Sequence, residues 1–292
     1  MIRHTHPRRP MSAPQLKRAR YTSKVDPRRI ARRSLVSGII LLLIPVILYL
    51  LAVFVMPYDP VSMNPRNSFQ GPSGQHWFGT DNFGRDIFVR AMAGLPLTLL
   101  IAAGTVVIGG CGGLLLGGLA GYYGRWIDYL ISRFNDALLS IPAVLTGMLF
   151  VAVFGNGIWQ VITALGLMFI PSFARVVRGG FMEHRHRDYV KRLRLLGSSG
   201  WRIMTRHLFP QIRPRLLSAA AIGFANAILA ESSLSFLGLG VPPSSISWGR
   251  MLKDAQGFLF QAPWYALFPG LLIVIIVLGA FFVGNGLKRI DR

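Results

Sequence analysis

Acidic residues and cysteine are scarce in this sequence. The 292 residues include 11 Asp and Glu and a single cysteine, Cys111, against 32 Lys and Arg. One cysteine excludes a disulfide framework, and no Cys/His spacing matches a metal site. Only 15% of the residues are charged, whereas a soluble globular domain has about 25%. A soluble fold of this length is therefore excluded, because the charges are too few to cover its surface.

Long apolar runs are abundant instead, and the mean hydropathy is +0.47. A helix needs about 20 apolar residues to cross a bilayer. Six runs reach that length, at 35–56, 95–121, 130–154, 158–177, 216–237 and 265–287. We therefore predict an all-α integral membrane protein with six transmembrane helices. The first run lies deep in the chain and lacks a small-residue cleavage site, so we interpret it as a retained span and not a signal peptide.

Glycine and proline are unevenly distributed among these runs. The second run is dense in glycine at three- and four-residue spacing, which favours close approach of a neighbouring helix. Pro142 and Pro171 lie inside the third and fourth runs and predict kinks.

The formal net charge of +21 alone would suggest a nucleic-acid partner, but the basic residues lie between the apolar runs. If both termini are cytoplasmic, 27 of the Lys and Arg residues lie on the cytoplasmic side of the membrane and 5 lie on the external side. This distribution follows the positive-inside rule. We therefore predict cytoplasmic N- and C-termini, contact of the basic residues with anionic lipid, and no nucleic-acid partner.

The spans divide the chain into segments. The predicted order is a basic, mostly disordered cytoplasmic tail at 1–34, span 1 at 35–56 and an external loop at 57–94. A five-span core at 95–287 and a cytoplasmic C-terminus at 288–292 follow.

The external loops carry two features of note. Asp81, Arg85 and Asp86 form a dense charge cluster among turn residues, so the cluster either fixes the loop by local ion pairs or docks a partner or substrate. In the second external loop, 238–264, we predict a re-entrant or interfacial helix around Trp248 to Phe260, with Trp248 at the membrane interface.

The cytoplasmic segment 175–215 is strongly basic and has the pattern of a helix, a glycine break and a second helix. Val190, Leu193 and Leu196 follow helical spacing before Gly197, and three apolar residues after it share one face. These three residues are Trp201, Met204 and Leu208. Two interpretations stay open: an amphipathic helix on lipid, or a helix that fits a groove on a cytoplasmic partner.

Glu231 is the one acidic residue deep in a predicted span, and it neighbours Ser232 and Ser235. An ionisable residue inside the membrane suggests a role in translocation or gating. A polar cluster that only packs helices together is an equally good interpretation.

Four long motifs in order resemble the dipeptide/oligopeptide/nickel family of ABC importer permeases, in its second-permease (DppC/OppC-like) branch. The first two are His76 to Asp86 and Ile170 to Gly179. The third is Ala230 to Val241, followed by Ser247 to Leu252, and the fourth is Leu267 to Gly270 with Gly284 to Arg289. The resemblance covers about 57–292. It implies a type I ABC importer bundle in a bacterial inner membrane.

The cytoplasmic segment then resembles the family's coupling loop, here 183–210. Gly197 and Pro210 keep the spacing of the family pattern, but Lys191, Arg192 and Leu193 stand where the family has Glu-Ala-Ala. The resemblance implies contacts with an ATPase from this loop. The residues concerned are Lys191, Arg192, Leu193, Leu196, Gly197, Trp201, Arg202 and Pro210.

The resemblance also implies a function. The chain is expected to be a non-catalytic permease that pairs with a second homologous permease, two ABC ATPase subunits and an extracytoplasmic solute-binding protein. ATP and Mg²⁺ would bind the ATPases, since the chain has no phosphate-binding loop of its own. The cargo could be a peptide, glutathione, a nickel chelate or a metallophore. An ATP-independent secondary transporter or channel is the alternative, and the scarcity of ionisable residues within the spans disfavours it.

Overall fold

The computed structural model of the chain describes residues 27–55 and 58–290, and within these ranges it is helical with no β-strand. The longer helices are α1 (Pro27–Val55), α2 (Ile87–Tyr123), α5 (Ile158–His184), α8 (Phe209–Phe236) and α10 (Pro263–Ile290). The shorter ones are α3 (Arg125–Leu139), α4 (Ala143–Phe154), α6 (Asp188–Leu195), α7 (Gly200–Ile203) and α9 (Trp248–Ala255). Single 3-10 turns occupy Pro65–Asn67 and Gln256–Phe258.

Five of the predicted spans are confirmed, since α1, α2, α5, α8 and α10 are long and apolar enough to cross a membrane. The third predicted run does not form the single kinked helix that was expected. It consists of α3 and α4, which meet at 86°. Pro142 accounts for the break, because proline lacks an N–H and restricts the residue before it to extended conformations.

The bent pair α3–α4 nonetheless traverses the bundle. At one end, Asp128 of α3 forms an ion pair with Arg178, near the last turns of α5. At the other end, Val151 of α4 packs with Val161, near the first turn of α5. Positions 161 and 178 lie about 25 Å apart along α5 at 1.5 Å per residue. The pair therefore serves as the sixth crossing.

Helices α1 and α2 each begin eight residues earlier than predicted. Helix α1 starts at Pro27, inside the predicted tail, and α2 starts at Ile87, inside the predicted external loop. Asp86 fixes the start of α2, because its Oδ1 accepts a hydrogen bond of 2.9 Å from the Val89 N–H. The predicted disorder of the tail falls mostly on residues 1–26, which lie outside the described ranges.

Most glycines of α2 pack against α5, as predicted. A Cβ atom added at Gly113 would lie 2.8 Å from the Ala174 nitrogen, and one at Gly121 would lie 2.8 Å from the Arg178 carbonyl oxygen. Side chains at these positions would force the two backbones apart. The absence of Cβ atoms thus allows α2 and α5 to form the central pair of the bundle, against which α8 packs.

Candidate functional site

The coupling segment, defined here as Asp188–Leu208, turns sharply at Gly197. The Ser198 N–H donates to the Leu193 carbonyl and the Gly197 N–H to the Arg194 carbonyl, each at 3.0 Å. These two bonds form a Schellman cap, which places Gly197 in the left-handed region at φ +76°. Among the described residues, no atom lies within 4 Å of a Cβ added at Gly197. The glycine is therefore required by the backbone conformation and not by crowding.

Buried side chains attach the coupling segment to the spans. Val190, Ile203 and Leu208 are fully buried and pack with Val177 and Phe181 of α5. The Arg194 guanidinium lies 4.9 Å from the ring centroid of Tyr122, at the end of α2. Movement of this segment would therefore be transmitted directly to α2 and α5.

Three large apolar side chains of the coupling segment are exposed. Leu195 is 87% exposed, Leu196 81% and Trp201 64%. Leu196 therefore does not share the inward face of Val190 and Leu193, as the spacing predicted, because it lies beyond the last regular turn of α6 as its C-cap. We call Leu195, Leu196 and Trp201 the apolar tip.

Basic residues surround the apolar tip. Lys191 and Arg192, which replace the acidic and small residues of the family pattern, are both exposed, whereas Leu193 is half-buried against the core. Lys191 forms an exposed ion pair of 3.0 Å with Asp188. Arg202 is exposed as well, and its N–H donates to Ser199 Oγ, which caps α7. The outward surface is thus apolar at its centre and cationic at its rim.

A π-helical turn at Met204–Leu208 joins α7 to α8. The Phe209 N–H donates to the Met204 carbonyl, five residues back. In a regular α-helix, the ring of Pro210 would collide with the carbonyl of Arg206. The wider turn avoids that collision, so that the coupling segment continues into α8 without a break.

The external motif is a buried ion-pair network. Asp81 is fully buried, and its Oδ2 lies 2.6 Å from Arg85 Nε. Its Oδ1 accepts hydrogen bonds from the backbone N–H groups of Phe83 and Arg85. Arg90 is also buried, with its Nε 3.7 Å from Asp81 Oδ2 and its Nη1 donating to the Pro60 carbonyl. These contacts tie the loop to the start of α2, and docking of a partner or substrate at this cluster stays a prediction.

Two residues of the network were missed in the sequence. Arg90 was placed in the loop, although it belongs to the first turns of α2, and His76 was noted only as part of a motif. His76 Nδ1 lies 2.8 Å from Asp86 Oδ2 in a buried contact. The signal for Arg90 was its position four residues after the capping Asp86, where a helical residue would be expected.

Trp248 does not lie at an interface with lipid, contrary to the prediction. It is fully buried, and its Nε1 donates a 2.6 Å hydrogen bond to the Ala91 carbonyl. The predicted helix in this loop is present as α9 and its following 3-10 turn. Helix α9 therefore packs inward on α2 and α8.

Glu231 is fully buried where α9 crosses α8. Its Oε1 accepts a 2.7 Å hydrogen bond from Ser235 Oγ, and its Oε2 lies 3.4 Å from Ser232 Oγ. A Cβ added at Gly249 of α9 would lie 2.6 Å from the Ser232 Cα. The cluster thus sits at a tight helix crossing, and a role for Glu231, Ser232 or Ser235 in translocation stays a prediction.

Comparisons with known proteins agree with this architecture. The model of a family described as binding-protein-dependent transport system inner membrane component matches residues 113–290. The dipeptide transport system permease protein DppC of Alkalihalophilus pseudofirmus is 37% identical over 253 residues, 87% of this chain and 83% of the relative. A putative peptide transport system permease protein of Brucella suis is 40% identical over 263 residues, covering 90% of this chain and 88% of that protein.

A solved structure shares the fold. The methionine ABC transporter MetNI, in an inward-facing conformation, aligns with a TM-score of 0.56 and 20% identity, covering 68% of this chain and 94% of the MetNI chain. The described part of the chain therefore has the type I ABC importer permease fold. Together with the sequence relatives, this shows that the chain is a multi-pass membrane protein belonging to the binding-protein-dependent transport system inner membrane component family.

Proposed function

We propose that this chain is the permease subunit of an ATP-driven ABC importer of peptides. With a second homologous permease it forms the translocation pathway, and the solute arrives on an extracytoplasmic binding protein. The observation that carries the proposal is the apolar tip, which exposes Leu195, Leu196 and Trp201 on a segment held to the spans by buried side chains. An exposed apolar patch with a polar rim is typical of a docking site for another protein.

The coupling segment acts as a lever in this proposal. Two partner ATPases bind ATP and Mg²⁺, dimerise and displace the apolar tip. Because Val190 and Ile203 pack against α5, and Arg194 against Tyr122 at the end of α2, the displacement biases two arrangements of the central helix pair. The chain itself catalyses no reaction.

The orientation follows from charge. The coupling segment and both termini are cytoplasmic, as the excess of Lys and Arg in 1–34 and 175–215 supports. The buried network around Asp81 and helix α9 then lie at the external side, where the binding protein docks. Both relatives carry dipeptide or peptide transport in their names, which supports peptides over nickel chelates or metallophores as cargo.

The experiment that tests the proposal is co-purification of the ATPase subunits with Leu196→Asp, together with ATP hydrolysis by the reconstituted complex. Leu196 is exposed, so the substitution leaves the permease folded and removes the ATPases. Val61→Asp, an apolar-to-acid change at an exposed residue of the other end, is the matched control and retains them. Full ATPase retention by Leu196→Asp would show that the segment is a lipid-surface helix.

A further inference from the structure

A cleft between α5 and α8 contains polar side chains at mid-membrane depth. Its volume is about 220 Å³, and its lining includes Ser172, Asn226, Phe169, Val176 and Ile222. Ser172 lies near the centre of the 27-residue helix α5, and Asn226 lies about 15 Å from the external end of α8 at 1.5 Å per residue. The cleft therefore opens in the hydrophobic layer and not at its edge.

The polar groups of this cleft are exposed and unsatisfied. Ser172 and Asn226 are both exposed, and neither side chain hydrogen-bonds to another residue in the part of the chain that the structure describes. Lipid tails offer no hydrogen bonds, so an amide and a hydroxyl facing them would be strongly disfavoured. This face of α5 and α8 is consequently expected to meet water, a solute or a polar partner.

The same face continues to the end of the helices next to the coupling segment. Positions 172 and 183 are eleven residues apart on α5, and positions 226 and 215 are eleven apart on α8, which corresponds to about three turns on one helix face. Glu183 and Arg215 form an ion pair of 2.5 Å between the two helices. The two helix faces that carry Ser172 and Asn226 thus end, about three turns away, at an ion pair that bridges α5 and α8.

The floor of the cleft is formed by a close contact. A Cβ added at Gly223 of α8 would lie 2.9 Å from the tip of the Phe173 ring. The missing side chain leaves room beside Asn226, while Phe169, Val176 and Ile222 give apolar walls.

We infer that this cleft is a solute-contact site of the permease, in which Ser172 and Asn226 hydrogen-bond to peptide amide groups. The inference rests on the proposed function and deepens it. A carboxamide both donates and accepts, as does a hydroxyl, so the pair matches the amide that every peptide carries whatever its side chains. The apolar walls contact those side chains without selecting a charge. The site recognises the peptide backbone and tolerates diverse sequences.

The first test is solvent access in the full reconstituted transporter. Ser172→Cys and Asn226→Cys, each in a Cys111→Ser background, are treated with a membrane-impermeant trimethylammonium methanethiosulfonate. Thr163→Cys and Leu217→Cys are matched controls, since each lies nine residues away, on the opposite face of the same helix. The cleft cysteines should react at least tenfold faster than the controls. Equal rates would overturn the inference, because the face would then be covered by lipid or by a partner helix.

The second test is uptake of tritiated alanine peptides of two to five residues. Asn226→Leu should raise the half-saturating peptide concentration about tenfold or more, and Asn226→Gln should largely restore it. Thr163→Val, whose parent hydroxyl bonds to its own helix through the Trp159 carbonyl, should behave as the unsubstituted protein. Unchanged half-saturation in Asn226→Leu and Ser172→Ala would overturn the hydrogen-bonding role.

The two tests separate this inference from the proposed function. If the unsubstituted complex takes up none of these peptides, the proposed cargo and its match to Ser172 and Asn226 are both wrong. Thiol access then still decides whether the cleft lines the pathway. If peptides are taken up and the cleft cysteines stay unreactive, the function stands and the site is elsewhere.

Discussion

Arg178 of α5 binds the carboxylate of Asp128 in α3 with two guanidinium nitrogens. Nη2 donates to Oδ2 at 2.8 Å, and Nε donates to Oδ1. The pair ties the start of the broken span to the central helix. A second pair, Arg175 with Asp136 at 3.7 Å, lies on the same two helices but is more exposed.

We expect Asp128→Asn to destabilise the permease by about 1–3 kcal/mol, because a bidentate, partly buried charged pair is lost. The matched control is Asp136→Asn, which removes an exposed pair worth about 0–1 kcal/mol. The thermal unfolding midpoints of both variants in detergent measure this difference in stability. Equal midpoints for the two variants would show that the bidentate contact does not hold α3.

Packing of α2 on α5 gives a second prediction. A Cβ added at Gly117 would lie 2.9 Å from the Ala174 Cα, a backbone atom that cannot move alone. We expect Gly117→Ala to cost about 1–3 kcal/mol through overpacking. Gly110→Ala is the control on the same helix, since no described atom lies within 4 Å of its added Cβ.

Gly110→Ala should leave stability unchanged or raise it by up to about 1 kcal/mol, because alanine favours helix. The measurement is the thermal midpoint of each variant in the same detergent. A loss for Gly110→Ala as large as that for Gly117→Ala would contradict the packing argument.

The sequence was sufficient for the helical bundle because its apolar runs are long and its glycines are regularly spaced. The turn at Gly197 was equally visible, since a glycine between two amphipathic stretches is a common helix C-terminus. Pro142 indicated a kink, but the 86° break depends on how α3 and α4 pack against α5. Periodicity alone does not contain that information.

The candidate site was predicted less completely, for a physical reason. Spacing placed Leu196 with Val190, whereas the cap at Gly197 turns Leu196 outward. Trp248 was assigned to the interface by its residue type, but its Nε1 bonds to the Ala91 carbonyl, far away in the chain. A local helix cap decided the first case, and a contact between distant segments decided the second.

Topology gives a third prediction. In a background lacking Cys111, an impermeant maleimide should label Ser62→Cys and Ser244→Cys in intact cells but not Arg187→Cys. All three positions are exposed in the structure, so that access depends on the side of the membrane. Labelling of Arg187→Cys before permeabilisation would reverse the orientation, and its labelling after permeabilisation is the control for reactivity.

The rim of the apolar tip gives a fourth prediction. Because Lys191 and Arg192 are exposed, we expect the ATPase surface facing them to be acidic or solvated. On an acidic surface, Lys191→Glu should weaken ATPase binding by about 1 kcal/mol, roughly fivefold in Kd, whereas Lys191→Ala should lose less. Binding of the unsubstituted permease should also weaken as salt is raised. Tighter binding by Lys191→Glu would show that the family's acidic contact is still used.

The last prediction isolates charge from backbone conformation at Gly197. Asparagine and aspartate have the same shape, and both adopt the left-handed conformation that φ +76° requires more readily than other residues. We expect Gly197→Asn to retain most ATPase binding and substrate-stimulated hydrolysis. Gly197→Asp should stay folded but lose both, because an unpaired carboxylate buried in the interface costs several kcal/mol. The measurements are co-purification of the ATPases and hydrolysis with and without loaded binding protein. Equal loss of ATPase binding in both variants would mean that the ATPase needs the bare glycine backbone at this position. Full binding and hydrolysis in both variants would show that Gly197 does not contact the ATPase.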